Sequence, residues 1–143
     1  MVIPVNISLR VACESHIEHV NVRIMKKTFT EMTDKSVVLL DVGGTFVKGG
    51  LADSTGELAD GLTWQVPIRS DGSRKEILES LEKSLREGIM KSKEPGMSVV
   101  GLAATFPGPF DYNAGVPLMT HKFADIYGMD MKEWFKGIAG KDF

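Results

Sequence analysis

The sequence predicts an α/β domain on a mixed sheet: three antiparallel strands, a helix, then a strand running parallel to an earlier one. Three observations predict it. Apolar runs of strand length at Val37–Leu40 and Phe46–Ala52 flank the tight segment Asp41-Val42-Gly43-Gly44-Thr45. A single apolar stripe at helical spacing follows after Ser73. Behind it comes the continuous apolar run Val99-Val100-Gly101-Leu102-Ala103-Ala104, which reads as a strand buried on both faces.

Taken in order, residues 1–34 read as an extension ahead of a domain at residues 35–143. Met1–Leu9 is mildly apolar but lacks the basic start of a secretory signal. Arg10 stands where a lipoprotein cleavage box needs an apolar residue, and the segment is too short for a winged helix-turn-helix domain. Met32 precedes Thr33-Asp34-Lys35, so residues 1–31 are read as a poorly ordered extension or an upstream mis-start.

The first strand delivers Asp41 to a fixed place at its end. Gly43 and Gly44 then permit a tight turn with exposed backbone N–H groups, since neither has a side chain to block close approach. Thr45 adds a hydroxyl, and Phe46–Ala52 leaves the turn as the second strand. Two readings stand side by side: an ordinary hairpin turn, and a phosphate-gripping hairpin whose carboxylate holds Mg²⁺ through water. No Gly-Lys-Ser/Thr follows, which excludes a Walker loop, and a strand rather than a helix follows, which excludes the Rossmann fingerprint.

Asp53-Ser54-Thr55-Gly56 is a turn, and Glu57–Pro67, carrying Leu58, Leu62, Trp64 and Val66, suits a third antiparallel strand. Arg69-Ser70-Asp71-Gly72 breaks the chain. Ser73 with Glu76 forms a capping box, and Ile77, Leu78, Leu81, Leu85 and Ile89 make the core-facing stripe of a helix. Glu79 with Lys83 and Glu82 with Arg86 are four-apart pairs on its exposed face. Glu94-Pro95-Gly96 ends it. After the parallel strand, Phe106-Pro107-Gly108-Pro109-Phe110-Asp111 leaves the strand's carboxyl end, where open α/β sheets hold ligands. It reads as a rigid connector or as a substrate wall. Val116–Thr120 reads as a short strand and Asp130–Phe135 as a helix with Asp130 at its N-cap.

Composition narrows the function. The 143 residues have room for one domain with its own core, and 43% apolar with 25% charged residues is ordinary for a globular protein. A net charge of −2 gives no footing for nucleic acid or anionic membrane, and no apolar stretch is long enough to span a bilayer. Cys13 is the only cysteine, which excludes an internal disulfide and suits a cytoplasmic protein. His16, His19 and His121 are too scattered for a metal site.

Asp41-Val42-Gly43-Gly44-Thr45-Phe46-Val47-Lys48, Gly101-Leu102-Ala103-Ala104-Thr105-Phe106-Pro107-Gly108-Pro109-Phe110-Asp111 and Thr120-His121-Lys122-Phe123 together resemble the amino-terminal lobe of ROK-family sugar kinases. The family belongs to the actin, hexokinase and heat-shock-chaperone ATPase superfamily, with its ribonuclease-H-like fold. The resemblance covers about residues 36–136. It implies ATP and Mg²⁺, with Gly43, Gly44 and Thr45 on the nucleotide phosphates and Asp41 holding Mg²⁺ through water. Pro107 and Gly108 would wall the sugar pocket. Lys48 either approaches the phosphate charge or is a solvated strand lysine; many members carry lysine directly after the threonine, where this chain has Phe46. His121 and Lys122 receive no chemical role.

The resemblance also implies a catalytic aspartate in an Asn-Asp motif and a zinc-binding His/Cys cluster in a second lobe. Neither motif occurs here, so the base is expected beyond Phe143 and the lobe is read as incomplete. The expected function is the amino-terminal fragment of an ATP-dependent glucokinase-like or N-acetylhexosamine kinase-like enzyme, inactive alone, the full-length protein being a homodimer. The alternative is a non-catalytic nucleotide- or sugar-binding regulatory module of the ROK type. A third reading pairs the chain with a separately encoded second half.

Overall fold

A computed structural model describes residues 35–53 and 55–140. The expectations for residues 1–34, with Cys13, His16 and His19, lie outside the described residues.

Strands β1 (Lys35–Val42), β2 (Phe46–Ala52) and β3 (Leu58–Pro67) form the expected antiparallel meander, and β4 (Ser98–Thr105) returns parallel to β1 after helix α1 (Arg74–Lys93). The sheet order is β3-β2-β1-β4. Alternation along β1 explains its packing. Val38, Leu40 and Val42 turn to one face and are buried, whereas Val37, Leu39 and Asp41 turn to the other. α1 lays Ile77, Leu81 and Leu85 against the first face, where Val47, Leu51, Trp64 and Val66 complete the core.

The helix starts where its capping box places it. The Ser73 N–H donates to Glu76 Oε2 at 2.9 Å while the Ser73 hydroxyl oxygen accepts from the Glu76 N–H. The Ser73 hydroxyl also donates to Glu76 Oε2 at 2.7 Å, and this bond, with the smaller contribution of the Ser73 N–H, holds the Glu76 carboxyl below its usual range. On the exposed face Arg86 pairs with Glu82 at 2.7 Å as expected, but Glu79 pairs with Lys75 at 3.8 Å rather than with Lys83. Glu79 is four residues from both lysines, so spacing alone does not choose between them.

Trp64 fixes how close the helix lies to the sheet. A Cβ at Gly49 would stand 2.0 Å from the indole and one at Gly88 2.7 Å from it, so the ring fits only because β2 and α1 both present glycine. Its Nε1–H donates to the buried Ser84 hydroxyl at 2.9 Å. Ser84→Ala strands that indole donor in the core and is expected to cost about 1–3 kcal/mol, measurable as a lower urea midpoint with unchanged slope.

Past β4 the chain makes a small ribbon, β5 (Phe110–Asp111) with β6 (Val116–Pro117). The short strand expected over Val116–Thr120 is therefore only its first two residues; Leu118 instead donates its N–H to the Pro109 carbonyl. A 3₁₀ turn at Ala124–Ile126 follows, then helix α2 (Met131–Ala139), capped by Asp130 through the Glu133 N–H at 2.9 Å. α2 runs four residues past the expected Phe135, because Ala139 joins Met131 and Phe135 in a buried stripe. No helix among the described residues is long and apolar enough to cross a membrane.

Candidate functional site

Because β1 and β4 are parallel and in register, Asp41 and Thr105 stand side by side at the carboxyl edge of the sheet. Alternation turns Asp41 to the face that α1 leaves open. The Thr105 hydroxyl donates to Asp41 Oδ1 at 2.8 Å. Among the described residues no other side chain bonds this carboxylate and no cation pairs with it. Lys48 is the cross-strand partner of Asp41 and shares its face, with an exposed side chain.

The turn behind Asp41 closes when the Gly43 N–H donates to the Phe46 carbonyl at 2.9 Å. A Cβ on Gly43 would press to 3.0 Å from that same carbonyl oxygen. A Cβ on Gly44 would instead enter a polar space, 3.5 Å from the Ser70 hydroxyl oxygen and 3.7 Å from Lys122 Nζ. Thr45 is exposed beside it.

Two further segments are tied to the turn through the backbone. The chain leaving β3 donates from Ile68 N–H to the Thr45 carbonyl and from Ser70 N–H to the Gly44 carbonyl, at 2.9 and 3.2 Å. The Phe123 N–H in turn donates to the Ser70 carbonyl at 2.6 Å. Phe123 is fully buried with φ of 54°, a left-handed backbone that costs a bulky residue about 1–2 kcal/mol. This ladder brings Lys122, the preceding residue, over Gly44. Sequence reasoning assigned Lys122 nothing, since a contact spanning from residue 44 to 122 leaves no local pattern.

The Pro107-Gly108 loop leaves the same edge. Its root is held by Tyr112, whose hydroxyl donates to the Phe106 carbonyl at 2.8 Å and accepts from the Phe106 N–H at 3.3 Å. Burial pushes the Tyr112 phenol up, and the bond to the Phe106 backbone opposes that shift. Phe106 stacks on Phe110 with centroids 4.9 Å apart, and Phe110 lies 4.7 Å from Tyr112. Beyond this anchored root Gly108 is exposed, and a Cβ there would meet nothing within 4 Å. The structure thus gathers Asp41, Gly43, Gly44, Thr45 and Lys48 around one turn. Pro107 and Gly108 lie on the loop that follows Thr105, and Thr105 and Lys122 join the set.

Chemically, the turn suits an anionic group. It offers a cradle that a side chain at Gly44 would fill, with an amine beside it and a carboxylate at its base. Among the described residues no group of three His, Cys, Asp or Glu could hold a metal. A single carboxylate with neighbouring hydroxyls suits Mg²⁺, which keeps several waters and takes one or two carboxylates plus phosphate oxygens. The hollows along α1, of about 470 Å³ by Glu82, Arg86 and Met90 and about 370 Å³ by Val66, Arg69 and Glu76, lie elsewhere.

Solved structures share this architecture. A Listeria monocytogenes protein described as an N-acetylmannosamine kinase matches 73% of this chain at 25% identity and a TM-score of 0.56. The inorganic polyphosphate/ATP-glucomannokinase of Arthrobacter sp. strain KM matches 74% at 22% identity and a TM-score of 0.60. A ROK-family transcriptional regulator, a homologue of the E. coli MLC protein, matches 75% at 16% identity and a TM-score of 0.62. The chain resembles the ROK family and carries part of its fold. It spans 32%, 41% and 26% of those three chains respectively, less than half the length of each. No protein-family model and no curated protein matches the chain.

Proposed function

We propose that this chain is part of a ROK domain and forms the amino-terminal, phosphate-gripping part of an ATP-dependent sugar kinase. One observation carries the reading: the Gly43-Gly44 turn stands at the carboxyl edge of the parallel strand pair, between the Asp41 carboxylate and the Lys122 amine. The Gly44 and Thr45 N–H groups would receive nucleotide phosphate oxygens, while Gly43, whose N–H is held by the Phe46 carbonyl, shapes the turn; Lys122 and Lys48 would offset the phosphate charge. Asp41 would hold Mg²⁺ through water; the ion, when bound, supplies charge neutralisation to the phosphates. Pro107 and Gly108 would wall the sugar, a hexose or N-acetylated hexosamine, as the two kinase neighbours suggest. The base that takes the sugar hydroxyl proton is assigned to an Asn-Asp motif outside these 143 residues. A cytoplasmic site of action goes with this reading.

Phosphoryl transfer needs nucleotide and acceptor held in line, and loss of a general base alone typically costs about 10²–10⁴ in rate. Purified chain incubated with Mg·ATP and glucose or N-acetylmannosamine is therefore expected to release no sugar phosphate. Sugar-phosphorylating activity that co-purifies with this polypeptide would overturn the incomplete-domain reading. The likeness to the ROK regulator keeps a second reading, a non-catalytic regulatory module that binds nucleotide or sugar, of which the sugar-only form separates from the kinase by its indifference to Mg·ATP. Sugar binding without any response to Mg·ATP favours the module; a response to Mg·ATP favours the kinase.

A further inference from the structure

We propose that Thr105 is a positioning residue that sets the orientation of the Asp41 carboxylate toward a hydrated divalent cation. The inference rests on the nucleotide reading above and adds to it a residue to which the sequence assigned no role.

Parallel pairing sets Thr105 directly beside Asp41, although 64 residues separate them in the chain. The carboxylate ends a strand on the open face, where rotation about its side-chain bonds meets little packing. A lone carboxylate there samples several rotamers, and each presents its oxygens differently. The Thr105 hydroxyl removes that freedom. It donates to Oδ1 at 2.8 Å, a bond to a charged acceptor, from a β-branched side chain that is itself stiff at χ1. Oδ1 is thereby committed to the protein, and Oδ2 is left for a metal-bound water.

The arrangement is the hydroxyl counterpart of the hydrogen-bonded carboxylates that surround metal ligands. Outer-shell partners of this kind typically change metal affinity by about 10–100-fold when removed. An outer-sphere carboxylate contacts the ion only through water, so the lower end of that range is expected here.

The test uses the ¹⁵N-labelled 143-residue chain titrated with ATP, once with Mg²⁺ and once with EDTA, read at the Gly43 and Gly44 amides. Wild type is expected to bind more tightly with Mg²⁺. Thr105→Val, which keeps the branched shape and removes the donor, loses about tenfold of that gain. Its metal-free ATP affinity and its thermal midpoint stay at the wild-type values. Thr105→Ser restores the gain, and Thr105→Ala repeats the loss should the valine variant fold poorly. A Mg²⁺ gain untouched in both Val and Ala variants overturns the inference while the nucleotide reading stands. So does an equal loss with and without Mg²⁺, which would mark a merely structural role, or a serine variant that fails to recover. A wild-type turn that ignores ATP under both conditions overturns the nucleotide reading, and this inference with it.

Discussion

Gly44→Val is expected to abolish the response of the turn to Mg·ATP while leaving the fold in place. Gly44 does not have a left-handed backbone, so an L-residue fits its conformation without strain. Its Cβ would point into the space bounded by Ser70 and Lys122, with 3.5 Å to the nearer oxygen, an ordinary contact. The Cβ is therefore accommodated, and the two γ-methyls, which face the Ser70 hydroxyl and the flexible end of Lys122, occupy the position a phosphate would take. If two charge-assisted hydrogen bonds at about 1.5 kcal/mol each are lost, affinity falls roughly a hundredfold. Titration of the variant, with urea unfolding in parallel, separates the two effects. Binding within a few-fold of wild type would show that the phosphate does not sit at Gly44. The neighbouring Gly43→Ala should behave differently, because its Cβ strikes the Phe46 carbonyl that closes the turn.

Phe123→Ala is expected to be strongly destabilising, costing about 3–5 kcal/mol. Its ring is fully buried and meets Phe106 edge-on with centroids 6.4 Å apart, so alanine leaves a cavity under the loop. The left-handed backbone at Phe123 is held only while that ring is anchored. Losing the anchor also loosens the Phe123–Ser70 bond and, through it, the placement of Lys122. Urea unfolding measures the first effect; a loss below about 1 kcal/mol would mean that the ring packs little. Total stabilities of about 5–15 kcal/mol make the expected loss a large fraction of the whole.

These two residues mark how far the sequence could be read. The sheet was legible because each element announces itself locally. Val37–Leu40 and Val99–Ala104 are apolar runs, Ser73 and Glu76 cap the helix, and Gly43-Gly44 makes the turn. Even the parallel direction of β4 followed from the helix that precedes it. The site was legible only along the hairpin. Thr105 reaches Asp41 because of a strand register, and Lys122 reaches Gly44 through a backbone ladder by way of Ser70. Neither arrangement has a sequence period. The 3₁₀ turn at Ala124–Ile126 escaped notice for a related reason, since three residues are too few to show a stripe. Trp64 was legible as a strand residue, but its fit between Gly49 and Gly88 depends on how the helix is laid across the sheet.

The most direct measurement is an amide NMR titration of the wild-type chain with Mg·ATP, sensitive to millimolar binding. The Gly43, Gly44 and Thr45 amides are expected to shift together and to saturate, with a weaker response at Lys122 and none along the exposed face of α1. No shift at the turn up to several millimolar Mg·ATP, or shifts confined to the lysines and arginines of α1, would contradict a phosphate site at the end of β1.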